Sequence, residues 1–183
     1  MKKGIVLPAL LLILGTQTYA QKKWAETAKG SHTIVQNKGG QTLGYSPKSG
    51  VKIIQVDGLA FKDLNKNGKL DIYEDWRKPV AERAKDLAAK MTVEQMAGLM
   101  LYSRHQAVPA PEAGMFTGTY NGKPFSASGV KPSDLSDQQI AFLTKDNLRH
   151  VLMTSVVSPI VAAEWNNNIQ ALVEGIGVGI PAN

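Results

Sequence analysis

A strand–helix–strand pattern near the end of the sequence constrains the fold more than any other feature. A short apolar run over residues 148–153 predicts a strand, and a helix follows, capped by Ser158 with Pro159 at its first position. Gly175 ends this helix, and residues 176–180 predict a second buried strand. Two parallel strands joined by one helix leave part of their sheet uncovered. The pattern therefore predicts the beginning of a larger α/β domain.

Length and composition limit what that domain can be. The chain has 183 residues, of which 43% are hydrophobic and 20% charged, as in ordinary globular proteins. A closed (β/α)8 barrel needs about 250 residues, so a barrel of this kind is expected to be incomplete here. Cysteine is absent, which excludes disulfide scaffolds, zinc–thiolate sites and cysteine nucleophiles.

The first twenty residues have the pattern of a secretory signal peptide. Lys2 and Lys3 precede an apolar run over residues 5–14, and small residues end the segment at Ala20. The run is shorter than the ~20 apolar residues of a membrane span. We therefore expect a chain that begins at Gln21, is periplasmic or secreted, and has no membrane association after cleavage. Removal of two lysines lowers the net charge from +6 to +4, and the remaining positive charge is scattered, which argues against nucleic-acid binding.

The rest of the chain is expected to fall into three parts. Residues 21–55 are polar and glycine-rich and predict an irregular leader, ending in a short strand over residues 51–56. Residues 56–135 contain a cation-type loop, two helices and a long loop. Residues 136–183 contain a further helix and the strand–helix–strand pattern, and are expected to form the first part of a truncated (β/α)8-like barrel.

The two central helices have clear start signals. The first begins near Pro79, and the second follows a capping box formed by Thr92 and Gln95. Both have apolar residues at helical spacing, which predicts one buried face on each helix. Residues 103–135 have no periodicity and several prolines, and predict either a loop over a binding face or a variable surface insertion.

The motif with the most chemical content is DLNKNGKLDIYE, over residues 63–74. It matches the calcium-loop pattern D-x-[DN]-x-[DN]-G-x5-E at every required position. The expected ligands are Asp63, Asn65, Asn67, the carbonyl of Lys69, Asp71 through water, and Glu74 through both oxygens.

Two features of this loop limit what it can do. The segment before Asp63 lacks helical periodicity, and two of the first three ligands are asparagines, so the site is expected to be weak, at roughly 10⁻⁴–10⁻³ M. A tight Asn-Gly turn without metal is the alternative. With calcium the role is structural, and Asp63→Ala is then expected to lower the melting temperature only when calcium is present. No cofactor for catalysis is expected.

Other patterns carry less chemistry. Residues 177–182 match G-x-G-x-x-A, but Pro181 intrudes and no helix follows, so the end of a glycine-rich strand is the better interpretation. His32, His105 and His150 lie far apart in sequence and lack metal-ligand spacing. No G-x-S-x-G motif of a serine hydrolase occurs.

Several segments together resemble a known enzyme family. Residues 63–76, 79–87 and 91–99 resemble the N-terminal region of glycoside hydrolase family 3, in particular its exported β-glucosidase-type members. Residues 163–172 and 177–181 are similar to the first barrel helix and the second barrel strand of that family. In all, the resemblance covers about residues 56–101 and 134–183.

The resemblance implies a fold and an activity. It implies an α/β fold that starts a (β/α)8-like barrel, preceded by a helical lead-in and a calcium-type loop. Members remove terminal β-linked sugars with retention of configuration, which requires a nucleophilic carboxylate and an acid/base carboxyl ~5–5.5 Å apart. The family nucleophile lies in a Ser/Thr-Asp-Trp context, which this sequence lacks, since Asp75-Trp76 follows Glu74. No catalytic residue is therefore assigned, and both carboxylates are expected beyond Asn183.

Two functional hypotheses of different classes follow. The first is an N-terminal fragment of an exported β-glycosidase that acts on β-linked oligosaccharides or glucosides and is inactive by itself. The second is a small secreted module that binds glycan or protein and is stapled by calcium. A nucleotide-binding βαβ protein is a third alternative, supported only by the glycine pattern at residues 177–182.

Overall fold

A computed structural model describes residues 21–183 of the chain. The predicted signal peptide, residues 1–20, lies outside the described residues. The strands are β1 (Trp24–Lys29), β2 (His32–Asn37), β3 (Thr42–Tyr45), β4 (Lys52–Val56), β5 (Leu59–Asp63), β6 (Gln106–Val108) and β7 (Met153–Val156). The helices are α1 (Val80–Lys90), α2 (Val93–Leu99), α3 (Phe125–Ser128), α4 (Asp137–Thr144) and α5 (Pro159–Glu174), with a 3-10 helix over Pro47–Ser49. Within residues 21–183, no helix combines the length and apolar character needed to span a membrane.

The segment predicted to be an irregular leader forms a sheet, so that prediction is wrong. β1, β2 and β3 pair antiparallel in chain order, with Trp24 opposite Asn37 and Val35 opposite Leu43. β1 is largely exposed and polar, so it lacks the apolar alternation by which a half-buried strand is recognised. The sheet is held instead by its ladder of backbone hydrogen bonds and by the few apolar residues of β2 and β3.

β4 and β5 form a hairpin around an Asp-Gly turn. Asp57 has φ 56° and Gly58 φ 83°, the two left-handed residues that a two-residue hairpin turn of this type requires. This confirms the strand predicted over residues 51–56, which the structure places at Lys52–Val56. A small core joins this hairpin to the first sheet. Its buried members are Val35, Leu43 and Ala60, with Trp24, Tyr45, Ile53 and Trp76 packed against them.

The two central helices form where their start signals lie, but their apolar faces are not covered. α2 is capped by Thr92, and the capping box with Gln95 is complete. Val80 is 78% exposed, Val93 77% and Met100 83%, so the prediction of buried faces is wrong for the described residues. Capping and local propensity are sufficient to place a helix, whereas burial requires a partner segment. Within residues 21–183, no such segment covers these side chains.

The segment predicted to lack regular structure contains two short elements. β6 (Gln106–Val108) and α3 (Phe125–Ser128) both lie between residues 103 and 135. Asp137 fixes part of the remaining segment. Its carboxylate accepts hydrogen bonds from the backbone N–H groups of Asn121 and Gly122 and from the Thr119 hydroxyl. β6 pairs with β7, so the predicted boundary between residues 135 and 136 separates two strands of one sheet.

The parallel strands differ from those predicted. α5 runs from Pro159 to Glu174 with Ser158 as its cap, as predicted. The strand before it is Met153–Val156, later than the predicted 148–153. The second predicted strand, 176–180, is wrong, because Gly177 and Gly179 have φ of 57° and 67° and make turns. The parallel pair is formed instead by β6 and β7, connected through α4.

The parallel pairing extends beyond the named strands. An isolated parallel bridge joins Tyr102 to His150 on one side of the β7 segment. On its other side, the Asn183 N–H donates to the Arg149 carbonyl at 2.8 Å, and the Val151 N–H donates to the Asn183 carbonyl at 2.8 Å. These two bonds are the pattern of a parallel bridge. Tyr102, His150 and Asn183 therefore lie side by side in that order.

The second core lies between this parallel sheet, α4 and α5. Its buried members are Val108, Phe142, Leu143, Leu148, Trp165, Ile169, Val173 and Ala182. Two polar side chains within it are held by hydrogen bonds. Gln139 accepts from the Trp165 indole N–H at 3.2 Å, and the buried Arg149 guanidinium donates to the carbonyls of Leu143, Leu148 and Ile180.

Candidate cation-binding loop

The predicted cation loop begins at the last residue of β5 and ends shortly before α1. Its two end residues, Asp63 and Glu74, are only 2% and 5% exposed. Lys66 has φ 61° and Gly68 φ 74°, and the second is the sharp turn for which the motif requires glycine. The loop is therefore closed on itself, with the carboxylates of its two end residues directed inward.

Asp63 organises the first half of the loop. Its two carboxylate oxygens accept from the N–H groups of Asn67 and Gly68, both at 3.0 Å. The side-chain oxygens of Asn65 and Asn67 accept from the N–H groups two residues further on, at 3.1 and 2.7 Å. These turns arise because short polar side chains bond readily to nearby backbone. The alternation of Asp63, Asn65 and Asn67 thus has a structural role with or without a metal.

Glu74 closes the loop from its other end. One carboxylate oxygen accepts from the N–H groups of Leu64 and Asn65 at 2.8 and 3.3 Å, and the other accepts from Asp71 at 3.0 Å. Burial raises the pKa of Glu74, and these three N–H groups oppose that rise. A buried carboxylate held by backbone donors is a strong anchor for the loop's conformation.

Asp71 is the centre of a second group of contacts. One of its oxygens accepts from the side-chain amides of Asn65 and Asn67 at 2.6 and 2.8 Å. Its other oxygen lies 3.3 Å from the ammonium nitrogen of Lys90 in α1. Partial burial acts to raise the pKa of Asp71, but the bonds from Asn65, Asn67 and Lys90 outweigh it and hold the pKa below its ordinary value.

Residues of helix α1 bond the end of the loop at Tyr73. Asp86 accepts from the Tyr73 N–H at 3.0 Å, and Arg83 donates to the Tyr73 carbonyl at 3.0 Å. Lys90 bonds Asp86 at 2.8 Å and lies 6.0 Å from the centre of the Tyr73 ring. Burial raises the pKa of the Tyr73 phenol, and the neighbouring Glu74 carboxylate raises it further.

The loop contains the kind of oxygen donors that a cation requires. The arrangement of these donors fits a cation only in part. The six predicted ligands are all oxygen donors within one closed loop, as calcium requires. In the part of the chain that the structure describes, however, no three acidic, histidine or cysteine side chains are grouped closely enough to hold a metal. Asp71 is already bonded to Lys90 and to two amide groups. A cation would have to replace those contacts, which is consistent with a weak site.

The structure changes what is expected of Asp63. The sequence predicted that Asp63→Ala would destabilise the protein only in the presence of calcium. Because the carboxylate bonds two backbone N–H groups directly, its loss leaves the Gly68 N–H without its acceptor and the Asn67 N–H with only the Asn65 side-chain oxygen, even without calcium. The substitution is now expected to be destabilising under both conditions.

The sequence did not predict that the loop also contacts α5. The Lys66 ammonium donates to the Gly175 carbonyl at 2.9 Å, just past the end of that helix. Lys62 pairs with Glu174 in the last turn of α5. These partners lie more than a hundred residues apart, so no local pattern indicates them. The loop therefore joins the N-terminal β-sheet to the α/β part of the chain.

The weaker sequence patterns do not form sites in the structure. Gly177 and Gly179 make turns, and no helix follows them in the described residues, so the G-x-G-x-x-A match lacks the strand–turn–helix context of a nucleotide site. His105 lies 2.8 Å from the Thr154 hydroxyl and stacks on Phe116 with ring centres 5.9 Å apart. His105 borders a cavity of about 340 Å³ beside α4.

Comparison with known proteins gives one informative match. No protein-family model matches the chain. Over 133 residues the chain is 40% identical to the periplasmic beta-glucosidase/beta-xylosidase of Dickeya chrysanthemi. The match covers 72% of this chain and 18% of that enzyme, so the chain spans less than a fifth of its relative. This confirms the resemblance to β-glucosidase-type enzymes that the sequence motifs indicated.

Proposed function

We propose that this chain is part of an exported β-glycosidase of the glycoside hydrolase family 3 type. The observation that carries the proposal is its 40% identity over 133 residues to a periplasmic β-glucosidase/β-xylosidase. The activity is retaining hydrolysis of terminal β-linked sugars, with small β-glucosides or β-xylosides as substrates. The periplasm is the proposed location, and the scattered positive charge of the chain argues against a nucleic-acid partner.

The catalytic carboxylates are proposed to lie outside residues 21–183. Retention requires two carboxyl groups about 5–5.5 Å apart, one of them a nucleophile. The buried carboxylates Asp63, Glu74, Asp75 and Glu174 are each bonded to backbone, to arginine or to lysine and hold local structure. The described residues are thus proposed to supply a scaffold, and this chain alone is proposed to be inactive.

The fold proposed for the scaffold is the start of a (β/α)8-like barrel. The support is the parallel pair β6 and β7 with α4 between them, together with the parallel bridge from His150 to Asn183. Parallel strands joined through helices are the repeating unit of such barrels. The lead-in to the barrel is the β-sheet, the cation loop, α1 and α2.

A test of this function starts from the gene in its native host. Reading the frame past codon 183 is expected to give a continuing reading frame with a Ser/Thr-Asp-Trp motif. The product of that whole frame is expected to hydrolyse nitrophenyl β-glucoside and β-xyloside, and the α-anomers serve as controls. A stop codon directly after Asn183, or a product without activity on both β-substrates, contradicts the proposal.

We also propose that the loop over residues 63–74 binds calcium weakly as a structural ion. The support is its closed conformation with oxygen ligands from Asp63 to Glu74. Calorimetric titration of the chain with calcium is expected to show one weak site, and magnesium to bind more weakly. If titration detects no heat and calcium leaves the melting temperature unchanged, the loop is a metal-free turn. The alternative function, a small module that binds glycan or protein, then also lacks the calcium ion that was expected to stabilise it.

A further inference from the structure

Two asparagines of this chain are each followed by glycine, and both pairs lie exposed at the surface. Asn67-Gly68 belongs to the cation loop, and Asn121-Gly122 lies in the segment before α4. Such a pair is chemically reactive, because glycine has no side chain to shield its backbone nitrogen from the asparagine side chain. A lysine follows the glycine at both places. The neighbouring sequence therefore gives the two asparagines similar intrinsic reactivity, and any large difference between them comes from the fold.

The reaction is deamidation through a cyclic imide. The glycine backbone nitrogen loses its proton and attacks the asparagine Cγ, so that a new N–Cγ bond forms. The Cγ–Nδ2 bond breaks, and Nδ2 leaves as ammonia with the proton that the glycine nitrogen lost. Water then opens the ring at either carbonyl and gives aspartate or isoaspartate, in which the main chain runs through Cγ. Water is the only co-reactant, and no oxidant or reductant takes part.

The attacking nitrogen is held in the same way at both places. The Gly68 N–H donates to the Asp63 carboxylate at 3.0 Å, and the Gly122 N–H donates to the Asp137 carboxylate at 2.9 Å. One carboxylate oxygen thus accepts from each glycine at nearly the same distance. This contact does not distinguish the two sites.

The two asparagine side chains differ in their bonds. The Asn67 Oδ1 atom accepts from the Lys69 N–H at 2.7 Å, and its Nδ2 atom donates to Asp71 at 2.8 Å. Within residues 21–183, no hydrogen bond or ion pair involves the Asn121 side chain. Closing the imide ring takes the side chain out of its staggered rotamer. Asn121 can rotate without losing a bond, whereas rotation of Asn67 breaks the bonds at both of its amide atoms.

We propose that Asn121 is a deamidation site of the folded protein and that the closed cation loop protects Asn67. The product has a negative charge in a turn that is already bonded to the Asp137 carboxylate, so like charges approach each other. Isoaspartate also adds a backbone atom to a two-residue turn whose residues have φ of 53° and 75°. Modification is therefore expected to loosen this turn from Asp137. The proposal is independent of the proposed glycosidase activity and of calcium binding.

Peptide mass mapping of the full chain after ageing at mildly alkaline pH tests this proposal. Chelator keeps the cation loop free of metal, and digestion with pepsin in acid limits further reaction. Each rate in folded protein is divided by the rate of the same asparagine in guanidinium chloride. This ratio is expected to be roughly tenfold or more higher for Asn121 than for Asn67, because one or more hydrogen bonds must break at Asn67. Equal ratios, a higher ratio at Asn67, or no modification of Asn121 in folded protein overturn the proposal.

A variant and a matched control test the origin of the protection. Asp71→Ala removes the acceptor of the Asn67 amide nitrogen and is expected to speed modification of residue 67 roughly threefold to tenfold, with residue 121 unchanged. Asp146→Ala removes an exposed carboxylate that bonds neither turn, and is expected to leave both rates unchanged. Equal rates at residue 67 in the two variants overturn the protection assigned to the loop. If Asp71→Ala fails to fold, the comparison of folded and denatured wild type decides alone.

Discussion

Asp75 and Arg77 show how much one residue pair contributes to the region after the cation loop. The Arg77 guanidinium donates to both Asp75 oxygens at 2.8 Å and to Asp57 at 2.9 Å, and lies 4.8 Å from the Phe61 ring centre. Phe61 in turn stacks on Trp76, with ring centres 5.1 Å apart. Charged, bidentate bonds that are partly shielded from water are among the stronger single interactions in proteins.

Asp75→Asn is expected to lower the free energy of unfolding by about 1–3 kcal/mol at pH 7. The bonds from Arg77 hold the pKa of Asp75 below its ordinary value. The contribution of Asp75 to stability is therefore present above the unfolded-state pKa and is lost as the pH falls through the folded-state pKa. Urea unfolding is expected to show a difference between wild type and variant at pH 7 that shrinks as the pH falls through the acidic range.

The matched control is Asp57→Asn. Asp57 bonds the same arginine but is exposed, and asparagine suits its left-handed turn position. This variant is expected to stay within about 0.5 kcal/mol of wild type. Equal losses in the two variants would contradict the role assigned to the buried pair.

A second single-residue substitution, Asp63→Ala, tests the cation loop. In excess chelator it is expected to lower the free energy of unfolding by about 1–3 kcal/mol, because the Gly68 N–H loses its acceptor and the Asn67 N–H keeps only the Asn65 side-chain oxygen. Calcium is expected to raise the melting temperature of wild type but not of this variant. Thermal unfolding with calcium and with chelator measures both effects.

Lys69→Ala is the control for this loop, because it keeps the carbonyl that would bind the ion. It is expected to respond to calcium like wild type. A calcium response that survives in Asp63→Ala would place the ion elsewhere in the protein.

At the scale of elements, α2 depends on one close contact. Gly98, the one buried residue of this helix, has no room for a side chain, since a Cβ atom there would overlap the Asn147 carbonyl oxygen. Val93 and Met96, on the same helix, are exposed. The position of α2 against the turn before β7 therefore depends on the absence of a side chain at residue 98.

Gly98→Ala is expected to destabilise the protein by about 1–3 kcal/mol, although alanine has the higher helix propensity. Backbone overlap forces a shift of α2 or of the turn at Asn147. Met100→Ala removes an exposed side chain and is expected to change stability by less than about 0.5 kcal/mol. Denaturant midpoints of the two variants make the comparison, and a Gly98→Ala variant as stable as wild type would contradict this packing.

At the scale of the whole molecule, the two parts of the chain meet along the cation loop and the end of α5. Lys66 bonds the Gly175 carbonyl, and Lys62 pairs with Glu174. Glycine is required at 175 and 179, where a Cβ atom would approach the Ser49 carbonyl oxygen and the Leu64 side chain at 2.9 Å. Apolar side chains of α1 and α2 lie on the outside of this assembly, uncovered in the described residues.

These exposed apolar side chains lead to a prediction about association. The double substitution Val93→Glu and Met100→Glu is expected to reduce binding of a hydrophobic dye and self-association of the chain, without lowering its melting temperature. Sedimentation velocity and dye fluorescence measure these properties. Lys85→Glu is the control, because it changes the net charge by the same two units at another position. An equal reduction in the control would mean that net charge, and not the apolar face, governs association.

Local signals in the sequence determined several parts of this protein. The caps at Thr92 and Ser158 start their helices as predicted, and Ser136 caps α4 in the same way, because a cap needs only its own turn of backbone. The motif over residues 63–74 closes as a loop because its acceptors and N–H donors are near neighbours in sequence. The Asp57-Gly58 turn is of the same kind. The strands β1, β2 and β3, by contrast, were not predicted.

Only the tertiary structure decided which strands pair and which faces are covered. The polar strand β1 forms because β2 lies beside it, and β6 forms because β7, forty-five residues further on, offers a parallel edge. The glycine-rich segment at 176–180 turns instead of pairing, so that Gly179 fits against Leu64 and Asn183 reaches the Arg149 and Val151 backbone. Each of these outcomes depends on groups distant in sequence. Hydrophobic periodicity shows which residues require burial or pairing, but it does not show which distant segment covers or pairs with them.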